Sequence, residues 1–198
     1  GGIAVPPVMG SRSTHVMSGL GGRAGRRLQT GDVLPIGPAP QREPCRAAIA
    51  PESLRLLYAP GPIRVTPGPQ AGRFADNAWT QFTTNPFQVA EQSDRMGIRL
   101  AGPLLARLDT QEMASEGVSL GAIQVPPDGQ PLILFVDHQT TGGYPKIANV
   151  CTADLHCVAQ LRPRDSVRFA RVSFEAAERL RVEHQARLDR LFAGGPGA

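Results

Sequence analysis

At 198 residues and 21.1 kDa, the chain can bury one sizeable core or two small lobes, not several independent domains. It is 41% apolar and 19% charged, a balance suited to a soluble globular protein, and its 22 glycines and 19 prolines favour short elements and turns over a helical bundle. The net charge of +4 comes from basic residues that, Lys146 apart, are all arginines interspersed with 17 acids. No basic run exceeds Arg26-Arg27 and no basic stripe alternates with aromatics, so no nucleic-acid face is expected.

Cys45, Cys151 and Cys157 are odd in number and too sparse for a disulfide framework, which fits a reducing compartment and a cytoplasmic protein. No apolar run is long enough to cross a bilayer, so no membrane partner is expected. The opening GGIAVPPVMGSRSTHVM lacks a basic head and an unbroken apolar centre, so it is not a signal peptide. It reads as the middle of a longer product.

In chain order, a glycine-dense loop leads to a turn at Thr30-Gly31-Asp32 and a predicted short strand at Val33–Ile36. A proline-rich connector over 38–53 precedes strands at Leu54–Tyr58 and Ile63–Val65. Phe74, Ala78 and Phe82 recur every four residues, one face of a short helix that Asn85-Pro86 ends. Strands follow at Phe87–Glu91 and Ile98–Leu100, the second after a turn at Arg95-Met96-Gly97. Gly121–Val125 and Leu132–Val136 flank PPDGQ, whose Pro127-Asp128-Gly129 suits a tight reversal, so the two runs predict an antiparallel hairpin. The continuous LILFV run belongs in the middle of a sheet. A strand at Ile147–Val150, a helical turn or two at Ala153–Leu161 and a strand at Val167–Val172 come next. Ser173 then caps a helix with a stripe of Ala177, Leu180, His184, Leu188 and Leu191. Many short strands without strand–helix alternation point to a closed or nearly closed mainly β architecture.

The sequence has no P-loop, HExxH, CxxC or G-x-S-x-G. Cys151, His156 and Cys157 lie close together, but nothing nearby completes a tetrahedral set, and no metal site is expected. The segment richest in chemistry is Asp137–Lys146, DHQTTGGYPK, directly after the strongest strand. Asp137-His138 has acid/base character. Gln139, Thr140 and Thr141 offer neutral donors and acceptors, Gly142-Gly143 suits a backbone nest for an anion, and Lys146 is a point charge for carboxylate or phosphate. The plain alternative is a polar hairpin loop. A second cluster, Ser93-Asp94-Arg95, is otherwise a surface turn with a local Asp94–Arg95 pair. In a third, Ser115-Glu116-Gly117, Glu116 either binds an amide-bearing substrate or is an ordinary solvated acid.

The phrases GGIAVPPVMGSRSTHVMSGLGG, LQTGDVLPIG, IRVTPGPQ, SDRMGIRLAGP, SEGVSLGAIQVPPDGQPLILFVDHQTTGGYPKIANV and AQLRPRDSVRF, in this order, resemble the allophanate hydrolase subunit 2 family over roughly residues 1–172. That family includes KipA-type proteins, a subunit of ATP-dependent 5-oxoprolinase and part of the urea carboxylase carboxyltransferase domain. The resemblance implies a cyclophilin-like β-barrel in two related lobes, the first incomplete because family members begin with a further segment. Residues 1–50 would be the remnant of that lobe and a connector, 51–172 the second lobe, and 173–198 a helix and tail.

It also implies an ATP-dependent, amide-ring-opening hydrolase subunit, using Mg-ATP to convert 5-oxo-L-proline to L-glutamate beside a subunit-1 (KipI-type) protein and a LamB/YcsF-type third subunit. The alternatives are half of a biotin-dependent urea or amide carboxyltransferase, or a KipA-like regulatory binding protein. Under this reading Lys146, Gln139, Glu116 and Arg95 are catalytic candidates, and Ser93, Asp94, Thr140, Thr141, Gly142, Gly143 and Tyr144 bind substrate or nucleotide. His138 ranks below them, because the family more often shows Asp/Ala-x-Gln there. The site is expected to be shared with the partner subunit, with Ser93–Arg95 and Gln139–Lys146 lining the cleft. Lys146 is expected to be exposed, so that its loss would affect turnover more than folding.

Overall fold

A computed structural model describes residues 2–39, Pro51 and 61–192, and its contacts fall into two units, Gly1–Ala47 and Ala48–Ala198. In the first, β1 (Thr14–His15) and β2 (Leu20–Gly21) form a minimal hairpin around a 3₁₀ turn at Val16–Ser18, closed by Gly19 in the left-handed conformation. The turn near Thr30-Gly31 is present, with Asp32 N donating to the Gln29 carbonyl at 3.1 Å. The strand predicted at Val33–Ile36 is not. Only an isolated bridge joins Ile36 to Ile3, since Pro35 has no N–H to give a ladder and Val33 and Ile36 both face outward. Leu54–Tyr58, Cys45 and most of the connector lie outside the described residues.

The second unit carries the barrel. Its strands are β3 (Ile63–Pro67), β4 (Phe87–Val89), β5 (Gly97–Ala101), β6 (Glu116–Gly117), β7 (Ala122–Gln124), β8 (Leu132–Leu134), β9 (Thr141–Gly142), β10 (Lys146–Val150), β11 (Ser166–Val167) and β12 (Phe169–Arg171). Eight of them form one sheet in the order β11-β4-β5-β8-β7-β10-β3-β12, while β6 and β9 pair separately. All neighbours in the large sheet are antiparallel except β12 with β3.

The two edge strands are consecutive halves of one run, parted only by Arg168. Val167 pairs with Phe87 on one side of the sheet, and Phe169 pairs with Ile63 on the other. One segment therefore closes the sheet on itself, which is why the strand predicted at Val167–Val172 appears as two short pieces. Closure removes most of the exposed edge.

The predicted hairpin is present, with Ile123 opposite Ile133 and both fully buried, and LILFV enters the middle of the sheet as β8 between β5 and β7. The predicted helix forms as α1 (Asp76–Thr84), preceded by a 3₁₀ turn at Ala71–Arg73. Phe74, Ala78 and Phe82 are all buried, and Phe82 stacks on Phe169 at 4.4 Å between ring centroids while meeting Phe87 at 5.9 Å. Burying a side chain of this size is worth roughly 1.5–3 kcal/mol, so this aromatic cluster is a main anchor of the barrel.

After the short α2 (Leu155–Val158), α3 (Phe174–Phe192) starts where expected, the Ser173 hydroxyl accepting from Ala176 N at 3.2 Å. Its Ala177, Leu180, His184, Leu188 and Leu191 stripe is half-buried. The His184 ring stacks on that of His156 at 4.9 Å, docking the helix beside α2. No helix among the described residues is long and apolar enough to cross a membrane.

Candidate functional site

The segment Asp137–Lys146 runs between two ion pairs. At its start, Arg95 Nε donates to Asp137 Oδ2 at 2.6 Å; at its end, Lys146 Nζ meets Glu116 Oε1. Between them Thr141 and Gly142 form β9, opposite Gly117 and Glu116 respectively. Glu116 is thus set by the ladder directly across from Gly142.

Lys146 is buried, with 3% of its surface accessible, which corrects the expectation of an exposed lysine. The cause is a β-bulge at the start of β10, where Lys146 pairs with Gln124 but Ala148 pairs with Ile123. A bulge re-aims the side chains beside it, and Lys146 begins a strand whose next two residues, Ile147 and Ala148, are also buried. Glu116, 44% exposed at its side chain, supplies the counter-charge.

Gln70 completes the cluster. Its Nε2 donates to Glu116 Oε1 at 2.8 Å, and its Oε1 accepts from the backbone N of Lys146 at 3.2 Å. Gly68 makes this approach possible: its N donates to the Ile147 carbonyl at 2.8 Å, and a Cβ there would collide with the Lys146 carbonyl. Hydrogen bonds from Lys146 and then Gln70 hold the Glu116 carboxyl below its usual range, outweighing the opposing effect of desolvation. Glu116 is therefore ionised at neutral pH and a weak base. It suits orienting Lys146, or accepting an N–H from an amide, better than removing a proton.

The glycines do different work from that expected. Gly142 lies in a strand, and neither it nor Gly143 has positive φ, so they do not form the expected nest. They permit close packing instead. A Cβ on Gly142 would sit 2.6 Å from Gln124 Nε2, and one on Gly143 would sit 3.2 Å from the Met113 carbonyl. Tyr144, 44% exposed, lines a cavity of about 600 Å³ together with Gly143, Leu104, Met113 and Pro127.

Other predicted residues serve the turns. Ser93 Oγ accepts from Arg99 N at 3.0 Å, and Asp94 Oδ1 accepts from the N atoms of Met96 and Gly97 at 2.9 and 3.1 Å. The local Asp94–Arg95 pair does not form, because Asp94 closes its own turn and Arg95 reaches Asp137. The Thr140 carbonyl accepts from Val118 N at 3.1 Å, and the Gln139 carbonyl lies 2.6 Å from His138 Nδ1. The structure thus joins Glu116, Lys146 and the Thr141–Tyr144 backbone in one cluster, with Ser93, Asp94 and Arg95 at the other end of the loop. Among the described residues no group of histidine, cysteine or acidic side chains is placed to hold a metal.

A family model described as "Carboxyltransferase domain, subdomain A and B" matches residues 1–171. The chain belongs to this carboxyltransferase family. It is 40% identical over 191 residues to the C subunit of 5-oxoprolinase from Escherichia coli and 38% identical over 191 residues to that from Haemophilus influenzae. In both cases the match covers 96% of this chain but 60% of the relative. The crystal structure of the K. lactis urea amidolyase superposes with a TM-score of 0.72 at 32% identity, covering 96% of this chain and 13% of that one.

Two residues of this candidate cluster, Gln70 and Gln124, carry little signal in the sequence. Gln70 lies in a turn phrase, IRVTPGPQ, where glutamine carries no special signal. Gln124 did leave a trace: it is the one polar residue in the apolar run AIQV, and a fully buried polar side chain in a central strand calls for a reason.

Proposed function

We propose that the chain is the core of a 5-oxoprolinase C subunit and takes part in ATP-dependent opening of the 5-oxoproline ring. The observation that carries this reading is an ionised Glu116 paired to the buried Lys146 beside the TTGGYP loop, in a chain 40% identical to such a subunit across 96% of its length. A lactam is a poor electrophile, and its ring nitrogen a poor leaving group. Transfer of the γ-phosphoryl group of ATP to the amide oxygen would give ADP and a phosphorylated imidate. Water would then add to that carbon, the ring nitrogen would take up a proton and leave as the C–N bond breaks, and a second water would hydrolyse the resulting γ-glutamyl phosphate to glutamate and phosphate.

In this scheme Glu116 accepts the ring N–H, orienting the amide. Lys146 provides the nearby positive charge that favours an anionic oxygen during transfer. Gln139, Thr140 and Thr141 offer further polar contacts on the same loop. ATP, as Mg-ATP, and a subunit-1 (KipI-type) and a LamB/YcsF-type partner complete the proposed assembly. A site shared with a partner barrel fits a cluster whose Glu116 is still half-exposed.

The test is 5-oxoproline-dependent ADP release by the full-length protein mixed with both partners, and by each component alone. Turnover only in the mixture is expected; none in the complete mixture rejects the reading. A second reading, carboxyl transfer to urea or a related amide, is favoured by the family match and the superposition on urea amidolyase. Transfer of labelled carboxyl from carboxybiotin to urea by the same preparation would establish it instead.

A further inference from the structure

Gln124 is completely buried, yet its Oε1 has no hydrogen-bond partner. Such an orphan acceptor is costly, and an apolar side chain of the same shape would spare the barrel that cost. The rest of the side chain is well employed. Its Nε2 points to the Tyr144 carbonyl at 3.4 Å and packs against Gly142, leaving no room there for a Cβ. Through the β7–β10 register its backbone lies opposite Lys146. The amide orientation follows from the chemistry, because the flipped form would set Oε1 against the Tyr144 carbonyl, acceptor facing acceptor.

We propose that Gln124 is a positioning residue: from inside the barrel it sets the Gly142–Tyr144 backbone relative to Lys146, at the expense of stability. It touches three points of the cluster, Gly142 by contact, Tyr144 by hydrogen bond and Lys146 by strand register. Its unpaired carbonyl is what the barrel tolerates to keep the donor on the other side of the same amide. Proteins break local rules of polar satisfaction mainly where function requires it. The inference rests on the proposed function only where turnover is measured.

The experiment compares wild type with Gln124→Met and Gln124→Leu, each as full-length protein with its partners, in three measurements. Melting temperature is expected to rise by about 2–4 °C, since the orphan acceptor is gone. Hydrogen exchange over Thr141–Tyr144 is expected to quicken by about tenfold while the β7 and β10 amides stay protected. The kcat for 5-oxoproline-dependent ADP release is expected to fall on the order of tenfold to a hundredfold, with KM changed less.

A merely structural glutamine would lower the melting temperature without this local signature. Wild-type exchange over Thr141–Tyr144 overturns the proposal, as does failure of both variants to fold, a lowered melting temperature, or unchanged turnover in an active complex. If the wild-type complex releases no ADP with 5-oxoproline, the functional reading fails, and exchange and melting alone decide the role of Gln124.

Discussion

In residues 2–39 the large apolar side chains face outward, with Met9 99% and Met17 88% exposed, and none of the described ones is buried. From Ile63 to Phe169 the barrel does the reverse, burying Phe82, Phe87, Leu100, Ile123, Ile133 and Phe169 almost completely. The first unit is organised by local polar contacts. Arg26 grips Asp32 through two bonds of 2.8 Å, Gln29 N donates to the same carboxylate, and Arg23 joins at 3.1 Å. Arg26, then the Gln29 amide, hold the Asp32 carboxyl well below the usual carboxylate range. These pairs are part-buried, with the Asp32 side chain 11% exposed, and they shape a loop without building a core. The barrel is built by burial, and the candidate site sits where that burial is interrupted by polar groups.

The largest expected effect is in the barrel core. Phe82→Ala removes the ring that joins α1 to Phe87 and Phe169, and should cost about 3–5 kcal/mol in chemical denaturation. A cost below about 1 kcal/mol would mean that α1 does not pack as described.

Lys146→Ala comes next, and it tests the boundary between core and site. It leaves a void in β10 and strips Glu116 of its partner. The loss should be about 1–3 kcal/mol, kept below that of a fully buried pair because Glu116 is half-exposed. Turnover should fall with it, and Lys146→Met should recover stability without turnover. Equal activity in the two variants and wild type would remove Lys146 from the site.

These two residues also show what was legible in the sequence. The apolar spacing Phe74, Ala78, Phe82 marked α1, and the flanked PPDGQ turn marked β7 and β8, because burial writes itself into local periodicity. The loop sequence marks Lys146 as chemistry but carries no sign of its burial. A bulge is a mismatch between two strands, and nothing near Lys146 alone encodes it. Likewise the plain alternative for Arg95 is a local pair with Asp94, whereas its partner Asp137 lies across the β5–β8 junction. Gln70 joins Glu116 over 46 positions through a glycine approach that a single sequence does not announce. Spacing reveals which face of an element is buried, but convergence of distant polar groups depends on the completed barrel.

A smaller effect is expected where α3 docks. Burial first, then the neighbouring His156 and Arg187, depress the His184 imidazole below its ordinary 6.5, against the opposing pull of Asp154. A base whose folded pKa is lowered takes up its proton more readily when unfolded. Its docking contribution is therefore complete above pH 6.5 and is lost as pH falls below that value toward the folded pKa. Arg64, Asp154, Cys157, Glu183 and Arg187 also face this junction and set its field. Protection of the α3 amides, corrected for the slower intrinsic exchange at lower pH, should fall between pH 7 and pH 5.5 more than in β7 or β10, and His184→Leu should flatten that dependence. Equal pH responses in helix and barrel would dismiss His184 as the cause.

The smallest effect should come from the first unit. Met9→Ser and Met17→Ser remove apolar side chains that already face solvent, so the 198-residue chain should change by no more than about 0.5 kcal/mol in either case. The comparison is sharpest when the same measurement is repeated with partners present. Each side chain is almost fully exposed, with no described residue covering it. If either substitution alone cost more than about 1 kcal/mol in the isolated chain, that side chain would be buried in solution and the contrast between the two regions would collapse. If the isolated chain is indifferent but the double variant weakens assembly with the partner subunits, the outward-facing methionines belong to an interface. The first unit would then be stabilised by association, as the barrel is by its own core.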